Sequence, residues 1–228
     1  MAVEFNGSSQ YASASSTLLG NEPIDMIVYG NSDSAAATQV PLALGNGGGA
    51  NGHFAMMFEG AVGGDPIKAQ KGNDGGTFDD ADTSTGYSTA TWTVASGSFV
   101  SDTERHAYIN GGSEGTDTGS ETDPTPDYVS VGARRNSALS QYFDGKIAQA
   151  YILDINMDDN QHAAAGVGAS PFWLVSGVKV RAWYPLNLHY ANRVANGYPD
   201  LTATGSPTLS LDNPARVFFP RLGGVMTF

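Results

Sequence analysis

Asp154, Asn156 and Asp158 alternate, with Asp159 and Asn160 directly after, and this is the spacing in the chain that most resembles a ligand set. Calcium takes several hard oxygen ligands, so the run is a candidate Ca²⁺ site. An EF-hand loop does not fit: counted from Asp154, the turn-glycine position holds Asp159 and the closing bidentate position holds Ala165. Helix capping is the preferred reading, with Asp158 as N-cap and Gln161 at the capping-box position. Gly111-Gly112-Ser113-Glu114-Gly115 has the form of a nucleophile elbow, which needs a strand before the serine and a helix after it. Thr116-Asp117-Thr118-Gly119 starts no helix, so the match reads as a glycine-rich turn. His53, His106, His162 and His189 are scattered, with no two imidazoles spaced for one metal. Gly47, Gly49 and Gly52 carry the spacing of a dinucleotide-binding fingerprint, but a strand-like run, His53 to Phe58, stands where that motif requires a helix. A hairpin is expected there instead.

Whatever chemistry exists must be positioned by strands. The 228 residues include Gly 29 and Pro 11, with 40% hydrophobic and only 15% charged residues, a balance that suits many strands joined by tight turns in one large all-β domain. The formal charge of -12 repels a phosphate backbone, so nucleic acid is excluded as an expected partner. Cysteine is absent, which removes disulfides, thiolate metal sites and a cysteine nucleophile. No run approaches the roughly 18 apolar residues of a membrane span, and the start, Met-Ala-Val-Glu-Phe, enters a strand with no signal-peptide pattern. No membrane partner is expected.

Strands are expected at Val3 to Phe5, Asp25 to Tyr29, Val40 to Leu44, His53 to Phe58 and around Pro66 to Gln70. Residues 60 to 86 otherwise read as a long acidic loop, and Ser113 to Asp127 as a second one. Tyr87 to Val94 alternates, with Ala90, Trp92 and Val94 on one side, and pairs with His106 to Asn110. Tyr128 to Asp154 reads as two strands joined by a polar connection over 132 to 141. The second, Lys146 to Leu153, is apolar on both sides and is expected to be central and covered on both faces. One short helix is expected after Asp158, and a further strand over Val178 to Leu186.

Several of these pieces form a resemblance. Phe5-Asn6-Gly7-Ser8 with Tyr11, Trp92-Thr93-Val94-Ala95, Tyr108-Ile109-Asn110-Gly111, Val131-Gly132-Ala133-Arg134 and Phe143-Asp144-Gly145-Lys146-Ile147-Ala148 follow in the order of the concanavalin A-like lectin/glucanase superfamily, and their spacing resembles its laminin-G-like branch. The resemblance implies a two-sheet antiparallel β-sandwich of jelly-roll type over residues 1–212, with an apolar C-terminal segment, 213–228, packed on the sandwich or on a partner. Calcium at loop edges is also implied, with ligands that do not map onto this chain. Glucanase relatives use two carboxylates on one strand face. The acids here fall almost wholly in expected loops, so no enzyme is expected and no catalytic residue is assigned.

The expected function is therefore recognition or assembly. A cysteine-free all-β domain with laminin-G-like character suits a bacteriophage virion surface protein, a capsid decoration or appendage protein assembled in the host cytoplasm. Its partners would be further copies of itself (a homo-oligomer) or virion structural proteins. The alternative is a soluble glycan-binding lectin, whose glycan-binding residues the sequence leaves unknown; a glycoside hydrolase stands last. Leu222, Val225, Met226 and Phe228 are the candidate partner contacts, because a free terminus this apolar needs something to cover it.

Overall fold

The computed structural model describes residues 1–16, 22–48, 51–175, 179–186, 190–194, 199–212 and 214. Two antiparallel sheets face one another. The first, sheet A, runs in the order β10 (Gly112–Asp117), β9 (Glu104–Ile109), β8 (Trp92–Ser101), β3 (Ile24–Ser32), β14 (Asp144–Leu153), β1 (Ala2–Asn6) and β17 (Thr208–Ser210), with β15 (Val180–Tyr184) also on β14. Sheet B runs β16 (Thr202–Thr204), β2 (Tyr11–Ser15), β11 (Tyr128–Val131), β4 (Thr38–Gly45), β5 (His53–Glu59), β6 (Pro66–Gly72) and β7 (Phe78–Gly86). A third ladder is the small hairpin β12 (Arg134–Arg135) to β13 (Leu139–Ser140). The expected jelly-roll sandwich is what forms.

Period-two patterning fills the space between the sheets. Phe5, Met26, Val28, Leu42, Leu44, Phe54, Met56, Phe58, Phe143, Ile147 and Ile152 belong to one buried cluster. A second cluster, with Ile27, Tyr29, Ala148, Tyr151 and Leu153, lies on the other face of sheet A under α1 (Asp159–Gly166) and α2 (Pro171–Leu174). β14 is thus central and covered on both faces, as its composition implies. Its alternation is broken by a bulge between Ile147 and Gln149, which puts Ile147 on the same side as Ala150 and Ile152. Gly145 opens this strand at φ +137, and a Cβ there would stand 2.2 Å from the Asn31 carbonyl oxygen.

Several local expectations need correction. Residues 60 to 86 are not all loop: β7 occupies Phe78–Gly86, an edge strand with little apolar content. β10 likewise takes the first part of the second acidic stretch. The strand holding Trp92 starts at that residue and not at Tyr87, whose ring instead packs on Phe58. The two strands of the 128–154 stretch lie in different sheets, and the connection between them folds as the β12–β13 hairpin. A second, four-residue helix, α2, accompanies the expected one because Pro171 at its first turn fixes a helical φ. The edge of β1 away from β14 is held by β17.

Phe58 is fully buried, with ring centroids of Tyr87 at 4.9 Å and Phe143 at 5.4 Å. Phe58→Ala should cost about 3–5 kcal/mol and lower the denaturation midpoint with little change in slope. A midpoint shift near zero would mean that the ring cluster is not a packed core.

Candidate functional site

On sheet B the residues alternating with the core point outward. β2 offers Tyr11, Ser13 and Ser15 there, β16 offers Thr202 and Thr204, and β11 offers Tyr128; all of them line a pocket of about 460 Å³. The β12–β13 hairpin forms its wall. Arg135 Nη1 donates to Ser13 Oγ at 3.2 Å, and the guanidinium lies 3.7 Å from the centre of the Tyr128 ring. Gly45 permits this packing: a Cβ on it would fall 1.6 Å from the Arg135 carbonyl oxygen. The neighbouring side chain, Arg134, reaches the other way across the sheet, where its Nη1 donates to Gln70 Oε1 at 3.3 Å. Burial lowers the Arg134 pKa from its usual value, and its Nε is buried without a partner among the described residues. Next to it, His53 contacts Gln70 Oε1 at 2.9 Å and the Asn51 carbonyl at 2.7 Å; burial first, and then the Arg134 charge, push its pKa down.

The far edge of the same face carries acids. β7 places Asp80 and Asp82 on one side of the strand, and Lys68 Nζ meets both, at 2.5 and 3.5 Å. Desolvation raises the Asp82 pKa. This acid-x-acid pair went unseen in the sequence because β7 reads there as loop.

Between the sheets, one end of the sandwich is closed by two inward-pointing cations. Lys71 is fully buried, with carboxylate oxygens of Glu22, Asp102 and Asp123 at 3.0, 2.8 and 2.9 Å. Those three oxygens lie close enough together to hold a metal ion, but the lysine ammonium already occupies their centre. Arg105, also fully buried, pairs with Asp117 and donates to the carbonyls of Asp102 and Gly119 at 3.1 and 2.9 Å. The stretch following β10 is therefore pinned. Glu22 is pushed up from 4.5 to about 7, chiefly by burial, with the Lys71 charge opposing.

Comparison with known proteins supplies the family. A model of the concanavalin A-like lectin/glucanases superfamily, of laminin-G type, matches residues 6–161, more than half of the chain. The chain belongs to this superfamily. No curated protein matches it. Among solved structures it is similar to a candidate carbohydrate-binding protein from Bacteroides ovatus (17% identity, TM-score 0.65, 95% of this chain and 61% of that one). It is also similar to the CBM40 module of the Ruminococcus gnavus IT-sialidase bound to α2,3-sialyllactose (16%, 0.56, 73% and 98%). A third is the heptameric SAP-like pentraxin of Limulus polyphemus (10%, 0.55, 72% and 81%). At these identities the likeness is one of fold.

Within this lectin/glucanase fold, the residues singled out in the sequence fall in separate places. Asp158 caps α1 by accepting from Gln161 N at 2.9 Å, and Gln161 Oε1 accepts from Asp158 N at 2.9 Å, which completes the capping box. Asp154 pairs with Arg181, while Asn156 is exposed. Ser113 is the second residue of β10, at φ +51 where the register shifts between Gly112 and Gly115, with no helix after it. His106 contacts Glu104 and Glu114 at the surface. Leu222, Val225, Met226 and Phe228, together with His189, lie outside the described residues.

Among the described residues, His162 is the one histidine with triad-like neighbours. Its Nδ1 lies 3.0 Å from Ser96 Oγ and its Nε2 2.9 Å from Ser98 Oγ, and Ser98 donates to Asp25. The second Asp25 oxygen accepts from Met157 N at 2.8 Å. All four side chains are sealed beneath α1, with the Tyr108 ring stacked on the imidazole at 3.8 Å. No substrate reaches these serines; the network ties α1 to sheet A.

Two measurements follow. Because the folded Glu22 pKa lies above its unfolded value, the folded state holds the extra proton between about pH 4.5 and 7, and stability falls as pH rises through that window. Glu22→Gln should remove this part of the slope in Tm against pH; an unchanged slope would exclude Glu22 as its source. For the calcium expectation, chelator should leave Tm unchanged, and Asp154→Ala should lower it equally with and without chelator. A chelator effect that vanishes in this variant would assign a metal to Asp154.

Proposed function

We propose that this chain is a non-catalytic glycan-recognition module that binds its ligand in the sheet B pocket. The observation that carries this reading is the pocket itself: hydroxyls from β2 and β16 line it together with a guanidinium held 3.7 Å over the Tyr128 ring. Sugars are recognised by several convergent polar groups in a shaped cleft. The carbohydrate-binding proteins among the similar folds support the same reading.

A hydrolase has one observation behind it, the Asp80 and Asp82 pair. A retaining glycosidase needs one free carboxylate as nucleophile and one protonated as acid, about 5 Å apart. Lys68 bridges the two aspartates here and would have to be displaced. Assembly also has its observation: Phe172 and Trp173 on α2 are 42% and 65% exposed. The virion-surface role rests on the sequence expectation, and so do self-association and partner contact through Leu222, Val225, Met226 and Phe228. We retain them as proposals for where such a module is displayed.

Titration with an oligosaccharide library by calorimetry tests the glycan reading. Binding should be found, and Thr202→Trp, which fills the pocket from an exposed position, should abolish it without changing Tm by more than a few degrees. Hydrolysis of any bound oligosaccharide that is lost in Asp82→Asn would overturn the non-catalytic reading.

A further inference from the structure

Charge bookkeeping across the chain singles out the same pocket. With 23 acidic residues against 11 basic ones, a cation in this protein has carboxylates within easy reach. Lys68, Lys71, Arg105, Lys146 and Arg181 sit in ion pairs, and of the other described cations Lys179 and Arg193 are exposed to solvent, whereas Arg134 and Arg135 are half-buried. Arg135 has no carboxylate partner among the described residues, and no acid lines the pocket it faces. Its guanidinium has five N–H donors, and one hydrogen bond, to Ser13 Oγ, is made within the described structure. The guanidinium carbon lies 3.7 Å over the centre of the Tyr128 ring, which together with the Ser13 bond holds the group at the pocket. Arg134, next along the strand, is also without a carboxylate partner.

Resting on the glycan-recognition reading, we propose that the ligand is an acidic sugar whose anionic group pairs with Arg135, while Ser13, Ser15, Thr202 and Thr204 bond its hydroxyls. A planar guanidinium with free donors matches a carboxylate or a sulfate in a forked, charge-assisted arrangement. The Tyr128 face covered by Arg135 is closed to a stacking sugar ring, which makes charge and hydrogen bonding the basis of selectivity. An acidic chain also repels an anion at long range, so binding of such a ligand requires a local cation of this kind.

The test is calorimetric titration of the full chain with matched acidic and neutral ligands: 3′-sialyllactose, 3′-sulfolactose and lactose, and trigalacturonate with its methyl ester. An acidic ligand should bind at least about tenfold tighter than its neutral counterpart, about 1.4 kcal/mol, and the carboxylate and sulfate arms show which anion is preferred. Arg135→Gln should erase the difference, and Arg135→Lys should restore part of it. Should Arg135→Gln fail to fold, Thr204→Glu adds a negative charge at an exposed pocket position without touching the Arg135 and Tyr128 stack, and should weaken acidic ligands by a clearly larger factor than neutral ones, which lose only the Thr204 hydroxyl contact. Equal affinity for acidic and neutral partners would overturn this proposal and leave glycan recognition standing. Acidic selectivity that survives both substitutions would overturn the assignment to Arg135. Binding of no sugar, acidic or neutral, would remove the underlying reading as well.

Discussion

Double-sided burial of β3 and β14 is the constraint on which the arrangement depends. Both strands are apolar on successive residues, so water must be kept from both of their faces. Sheet B covers one side. α1 and α2 cover the other, fixed by the Asp158 capping box and by the sealed contacts of His162 with Ser96 and Ser98. With sheet A enclosed in this way, the outward face of sheet B is left to meet a ligand, and it is there that the β12–β13 hairpin sets two arginines.

The same economy explains the odd electrostatics of the sandwich end. Lys71 and Arg105 point inward from β6 and β9, and an unpaired charge there would be very costly. The loops answer by bringing Glu22, Asp102 and Asp123 to one cation and Asp117 to the other. Acidic stretches that look like solvated loops thus serve as counter-ions. That use also occupies the one group of three carboxylates among the described residues that lies close enough together to hold a metal ion. Arg134 and Arg135 stand out against this background because they are half-buried and no carboxylate among the described residues answers them.

How much of this was legible depends on whether the information is local. β14 declares itself because nearly every residue from Ile147 to Leu153 is apolar, and Asp158 with Gln161 spells a helix start within four residues. β7 does not, because an edge strand of sequence FDDADTSTG buries only Ala81 and Thr83 and so carries no apolar stripe. The hairpin escapes for a related reason: its strands are two residues long and pack by way of Gly45, which is distant in sequence. The pocket could not be read at all. Its parts come from Ser13, Tyr128, Arg135 and Thr202, which are brought together by sheet order and not by any motif.

The central claim is that ligand meets this molecule on the open face of sheet B beside Arg135. Mapping backbone amide shifts by NMR during titration with 3′-sialyllactose or trigalacturonate tests it most directly. The account predicts a contiguous set of perturbed amides at Ser13 to Ser15, Tyr128, Arg134, Arg135 and Thr202 to Thr204. Perturbations gathered instead around Phe172 and Trp173, or around Asp80 and Asp82, would contradict it.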